Sequence, residues 1–166
     1  MKFLIFKVLV FFSLISCSNI NFLLENKESS DFLKNKTLVY VSGWDNPILK
    51  DVLFSKFGET DDKHFSLTAS INEKQTKRSI SENQVAQKID YKITIEYNLN
   101  HLIKKCPEIK NKQISNFSFT PKSSGYNFAS DVFLNNLYKE AVLNNVNNFM
   151  SFANDKIKSY KCLDEN

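Results

Sequence analysis

The sequence predicts an α+β fold. In it, a two-layer sandwich sets two helices on one face of a mixed β-sheet of about four strands, in the order β-α-β-β-β-α. Three observations carry that expectation. Val85–Tyr97 (VAQKIDYKITIEY) alternates, with Ile89, Tyr91, Ile93, Ile95 and Tyr97 on one side and Lys88, Asp90, Lys92, Thr94 and Glu96 on the other. Successive side chains of a strand point to opposite faces, so this strand has one apolar and one wetted face, whereas a helix would scatter the same residues around its circumference. Two further stretches each carry an apolar stripe at helical spacing, and a sheet greasy on one side needs cover on that side only. Finally, 166 residues, 42% of them hydrophobic, with three glycines and three prolines, suit a single domain with an adequate core.

The N-terminus sets the compartment. In Met1–Cys17 (MKFLIFKVLVFFSLISC), Lys2 provides a positive start, and Phe3–Ile15 is an apolar run broken once by Lys7. That run is shorter than the roughly 20 residues a membrane span needs. Leu14-Ile15-Ser16-Cys17 resembles a bacterial lipobox: a branched apolar residue three before the cysteine and a small residue just before it. On this reading residues 1–16 are a lipoprotein signal peptide and Cys17 becomes the lipidated first residue. The alternatives are an ordinary secretory signal, with Cys17 a bystander, or an uncleaved anchor. A neutral Ser18 after the cysteine points to the outer membrane, with the protein lipid-anchored on its periplasmic side. Residues 17–36, polar and without clear periodicity, read as a lipidated tether. Residues 37–160 read as one α/β domain and 161–166 as a tail.

Within the domain, Thr37–Ser42 (TLVYVS) is a β-branched and aromatic run, hence a strand, ended by Gly43. Asn46-Pro47 starts a helix, with Asn46 as N-cap and Pro47 where a missing N–H costs nothing. Ile48, Leu49, Val52, Leu53 and Phe57 form its stripe, and Gly58 is a candidate left-handed cap, giving a helix over Pro47–Phe57. His64–Ile71 alternates again. Glu73–Asn83 (EKQTKRSISEN) is polar and reads as a hairpin loop leading into the long strand.

That loop carries Lys74, Lys77 and Arg78. They are either solvated or a contact for an anionic head group, since a guanidinium matches phosphate and carboxylate geometry. After the long strand, Asn98–Asn111 reads as irregular, and Gln113–Phe119 as a strand with Ser115, Phe117 and Phe119 on one face. Pro121–Gly125 reads as a turn. A long helix, capped by Ser130 or Asp131, then runs to about Lys158. Its stripe is Leu134, Leu137, Tyr138, Ala141, Val142, Val146, Phe149, Met150, Ala153 and Ile157. Asn144, Asn145, Asn147 and Asn148 are poor helix formers and mark an expected weak point.

With Cys17 lipidated, Cys106 and Cys162 remain. In an oxidising compartment they are a disulfide candidate, the rival being two free thiols. The net charge of +4 is too small for a nucleic-acid protein. No nucleophile elbow, P-loop or dinucleotide fingerprint is present, and His64 and His101 lack metal-ligand spacing. The expectation is therefore a non-enzyme with no cofactor and no metal.

The order lipobox, tether, strand, helix, three strands and long terminal helix resembles the LptE family, the lipopolysaccharide-assembly lipoproteins of Gram-negative outer membranes. TLVYVS, NPILKDVLFSKF, HFSLTASI and QKIDYKITIEYNL carry the likeness, followed by Tyr126-Asn127 ahead of an alanine-bearing helix. Many members begin their mature form Cys-Gly-aromatic, where this chain has Cys17-Ser18-Asn19. The resemblance implies a non-enzymatic plug and assembly partner of an LptD-type β-barrel, acting in lipopolysaccharide transport to the cell surface. Arg78 falls in the hairpin where the family has a basic residue implicated in lipopolysaccharide binding, but the loop does not align residue by residue and no role is carried over. Two rival readings are a generic lipid-anchored periplasmic binding or scaffolding lipoprotein, and a lipid-anchored enzyme, which would need a deep pocket with convergent titratable groups.

Overall fold

The strand predicted at the centre of the chain is the centre of the sheet. The computed structural model describes residues 32–42, 46–59, 61–80, 86–121 and 128–160, with the side chains of 79, 80, 86, 87, 128 and 129 left out. Its elements are β1 (Thr37–Ser42), α1 (Pro47–Phe57), β2 (Phe65–Ile80), β3 (Ala86–His101), β4 (Ile109–Phe119) and α2 (Phe128–Ser159). The strands lie in the order β1-β2-β3-β4. β1 is parallel to β2 and the other pairs are antiparallel, so the sheet is mixed as expected. The described residues all fall in one compact unit.

On β3, Tyr91, Ile93, Ile95, Tyr97 and Leu99 are buried, with Ile93 and Ile95 fully so. Ile93, Ile95, Tyr97 and Leu99 join Phe65, Leu67 and Ala69 of β2, Val39 of β1 and Ile109 of β4 in one apolar cluster under the helices. The opposite face is mostly polar, with Tyr40 and Ile114 exposed on it.

α1 forms as its sequence dictates. The Asn46 side chain accepts a hydrogen bond from the Leu49 N–H at 2.9 Å, Pro47 opens the helix, and Leu49, Val52, Leu53 and Phe57 face inward. The Gly58 N–H closes the last turn on the Phe54 carbonyl at 2.9 Å. Gly58 has φ +72°, a conformation that favours glycine, and a Cβ there would also force the Asn35 side-chain amide to move.

Four boundaries differ from the sequence reading. Glu73–Ile80 is the second half of β2, not a loop: Lys74, Lys77 and Arg78 are ladder residues, paired with Lys92, Ile89 and Lys88 of β3. The stretch is polar because no helix covers β2 there. Polarity alone looks like a loop, but cross-strand pairing with β3 keeps it extended. β3 runs on to His101, with Leu99 buried, and β4 begins at Ile109, so the irregular connection is only 102–108. α2 starts at Phe128, which places Asp131 in its first turn, beside the positive end of the helix dipole, and not at the cap. Finally, Phe32–Lys36 belongs to the body: Leu33 is fully buried, the Thr37 hydroxyl donates to its carbonyl at 2.8 Å, and the Asn35 N–H donates to the Phe57 carbonyl at 2.7 Å.

At about 1.5 Å per residue, α2 is roughly 48 Å long and runs the length of β4. Phe133 meets Phe119 near one end, and Lys158 lies over the Phe32 ring near the other. Two ends can thus be named. The base holds the starts of β1, β2 and β4 and the ends of β3 and α2; the tip holds the β2–β3 connection and the start of α2.

Candidate functional site

Because paired residues on neighbouring strands share a face, the register dictates what the open face presents. Toward the tip, Lys74 sits opposite Lys92, Thr76 opposite Asp90, and Arg78 opposite Lys88. Asp90 and Lys92 are in turn beside Ser118 and Asn116 of β4. Four cations therefore surround one carboxylate. Asp90 accepts from the Ser118 hydroxyl at 2.7 Å and pairs with the Arg78 guanidinium. The Ser118 hydrogen bond, helped by the Arg78 and Lys88 charges, holds its carboxyl below the usual carboxylate value. Like charges directly opposite one another across a ladder disfavour the pairing, and here two such pairs flank the Thr76–Asp90 pair.

Lys74, Thr76, Arg78, Asp90, Lys92, Asn116 and Ser118 line a shallow depression of about 440 Å³, with Lys88 just outside its lining. In a second depression of about 450 Å³ nearer the base, lined by Thr68, Ser70, Glu96, Asn98, Lys110 and Lys112, each lysine has a carboxylate: Lys112 pairs with Glu96 at 2.7 Å and Lys110 with Glu108, outside the lining, at 2.7 Å. The tip depression is the more electropositive of the two, with Lys74, Arg78 and Lys92 against Asp90 alone. An Arg fork flanked by lysines suits a multi-oxygen anion such as a phosphate.

Of the three cations singled out from sequence, Lys74 and Arg78 come together here. Lys77 lies on the other face, opposite Ile89. Lys88 and Lys92 complete the cluster and were not singled out, although their alternation had put them on the wetted face. What was missing was the register, which a loop reading of Glu73–Asn83 removes.

The helix-side chemistry is structural. The Tyr97 hydroxyl donates to Asn145 Oδ1 at 2.9 Å, and Asn145 Nδ2 donates to the Ser115 hydroxyl at 3.1 Å. Asn46 Nδ2 donates to the Tyr138 hydroxyl at 3.0 Å. Burial raises both phenols, Tyr138 up to about 12. His64 Nε2 is 2.9 Å from Asp62, and His101 Nδ1 accepts from the Ile103 and Lys104 N–H groups at 3.1 and 3.0 Å. Among the described residues no cluster of three or more His, Cys, Asp or Glu could hold a metal, and no helix is long and apolar enough to cross a membrane. Cys106 is disulfide-bonded and packs partly buried against the core. Cys17 and Cys162 lie outside the described residues.

No protein-family model and no curated protein matches the chain. Among solved structures, the fold is similar to that of a candidate lipoprotein from Caulobacter crescentus CB15, with TM-score 0.53 and 12% identity over 74% of this chain and 90% of that one. Rare lipoprotein B from Shewanella oneidensis gives TM-score 0.48 at 12% identity over 75% of this chain and 98% of that one. A minor lipoprotein from Acinetobacter baumannii gives 0.43 at 8% identity over 76% and 92%. The first likeness bears on the fold alone; the two weaker ones carry no argument.

Proposed function

We propose that this chain is an outer-membrane lipoprotein of the LptE kind, anchored through Cys17. It acts without catalysis as the plug and assembly partner of an LptD-type β-barrel that delivers lipopolysaccharide to the cell surface. The observation that carries the reading is the one-sided sandwich: helices cover one face of the sheet, and the other face is mostly polar, interrupted by the exposed Tyr40 and Ile114, and electropositive toward the tip. A barrel lumen is polar, and a rigid, mostly polar sheet face can meet it. The Lys74–Arg78–Lys88–Lys92 cluster suits the phosphates of a lipopolysaccharide head group. The lipobox and the order of elements support the same family, and the fold shared with the Caulobacter protein is compatible with it. Acyl anchoring raises the effective concentration of a membrane partner.

The test is mild detergent extraction from the native envelope followed by affinity capture. A stoichiometric large β-barrel is the expected companion; recovery without one supports the rival reading of a scaffolding lipoprotein. Cys17→Ser tests the anchor separately. A variant that still fractionates with membranes and shows no loss of acyl mass removes it.

A further inference from the structure

The base of the molecule carries a feature that a barrel plug does not need. Leu102 and Ile103, adjacent in the β3–β4 connection, are 51% and 66% exposed. Single exposed aliphatics are ordinary; two neighbours held outward on a braced turn are less so. The Ile103 and Lys104 N–H groups both donate to His101 Nδ1, and the Leu102 N–H donates to the His64 carbonyl at 2.7 Å. The His101 ring itself packs edge-on against Phe65, 4.7 Å between centroids. The Cys106 N–H returns to the Lys104 carbonyl at 2.8 Å, and Cys106 is disulfide-bonded. The turn is thus fixed at both ends, and its aliphatic side chains are not turned inward.

Two observations say what it faces. The loop lies where the chain from the N-terminal segment enters the body: the Lys36 carbonyl accepts from the His64 and Phe65 N–H groups at 2.9 and 3.0 Å, and His64 in turn holds Leu102. The charges nearby are mixed: Lys104 and Lys105 share the connection with Glu108, which pairs with Lys110 at 2.7 Å, while Lys34 and Lys36 on the entering turn and Lys63 stand against Glu59, Asp61 and Asp62 on the α1–β2 connection, where Asp62 is engaged by His64. An exposed apolar pair followed directly by two lysines, Lys104 and Lys105, is the composition of a segment that sits in a lipid interface, aliphatics at the acyl boundary and ammonium groups at the phosphates.

We propose that the Leu102–Lys105 loop docks the folded body onto an anionic phospholipid surface, Leu102 and Ile103 entering the head-group boundary. The base then stays on the membrane and the cationic cluster is held away from it. Phe65 to Arg78 along β2 is roughly 40 Å at about 3.3 Å per residue. The contact is made by the body itself and is measured without acyl chains, so its failure leaves the anchor and the barrel reading standing, and the reverse holds too.

The experiment uses residues 17–166 carrying Cys17→Ser, which keeps the whole unit from Asp31 onward. Flotation is measured with vesicles of phosphatidylcholine alone and mixed with phosphatidylglycerol. Binding to the mixed vesicles is expected to weaken about tenfold or more in Leu102→Asp/Ile103→Asp. Ile114→Asp, at a comparably exposed aliphatic on the open face, is expected to leave it unchanged. Absence of binding by the parent, or binding lost in Lys104→Ser/Lys105→Ser but untouched by the aspartates, overturns insertion. Ile103→Trp in a Trp44→Phe background gives a readout independent of the aspartates. Brominated acyl chains are expected to quench its fluorescence, and unquenched fluorescence on bound vesicles also overturns the proposal.

Discussion

Tyr97, in the middle of β3, donates to Asn145, in the middle of α2, across 2.9 Å of buried space. The same phenol ring stacks on Phe149 with centroids 4.0 Å apart and planes 7° from parallel, and Asn145 is 1% exposed. This pair fixes how far the long helix can slide along the sheet, because an apolar stripe alone tolerates small shifts and a buried amide does not. Removing one partner is therefore costly. Tyr97→Phe keeps the ring and orphans the amide oxygen, and is expected to lose about 1–3 kcal/mol in urea unfolding. Tyr97→Phe/Asn145→Leu should cost less than the sum of the single changes, since no buried group is left unmatched.

Alkaline pH should act through the same phenols. Burial raises Tyr97 and Tyr138 above an ordinary phenol, Tyr138 up to about 12. The unfolded chain begins to release these protons near pH 10 while the folded one keeps them. Their contribution is accordingly complete below about pH 10 and is lost as pH climbs toward 12. Unfolding free energy followed across that range should fall less steeply in Tyr97→Phe and in Tyr138→Phe than in the parent.

Leu33 tests where the body starts. A residue of a free tether could be truncated without effect, but a fully buried leucine should cost about 2–5 kcal/mol on Leu33→Ala. The urea midpoint should shift with an unchanged slope.

The open-face cations should trade stability against ligand. Lys74→Glu turns the Lys74–Lys92 repulsion into an attraction, and a gain of a few tenths of a kcal/mol, about the usual cross-strand value, is expected. The same change should weaken retention on immobilised lipopolysaccharide or its phosphorylated head group, most clearly at low salt. Lys77→Glu, on the other face, should leave retention unchanged.

Much of the architecture was legible because it rests on periodicity. Ile93 and Ile95 could only share a face on a strand, and Asn46-Pro47 and Gly58 bracket α1 by their own backbone chemistry. The site was legible in part. Lys74 and Arg78 stood out as charges, but their meeting with Lys88 and Lys92 is a consequence of register, a long-range quantity that a polar, uncovered half-strand hides. Asn145 was misjudged for a related reason: its poor helix propensity is a local property, and its value lies in two bonds to residues 48 and 30 positions away.

The most direct test of the central claim is a photo-crosslinking amino acid placed at Thr94, in the middle of the open face and paired with Asn72 and Ile114, in cells making the protein at native level. An adduct with one outer-membrane β-barrel is the predicted result, with the same probe at Lys139 on the exposed side of α2 as comparison. No adduct from Thr94, or adducts only with soluble periplasmic proteins, would contradict it.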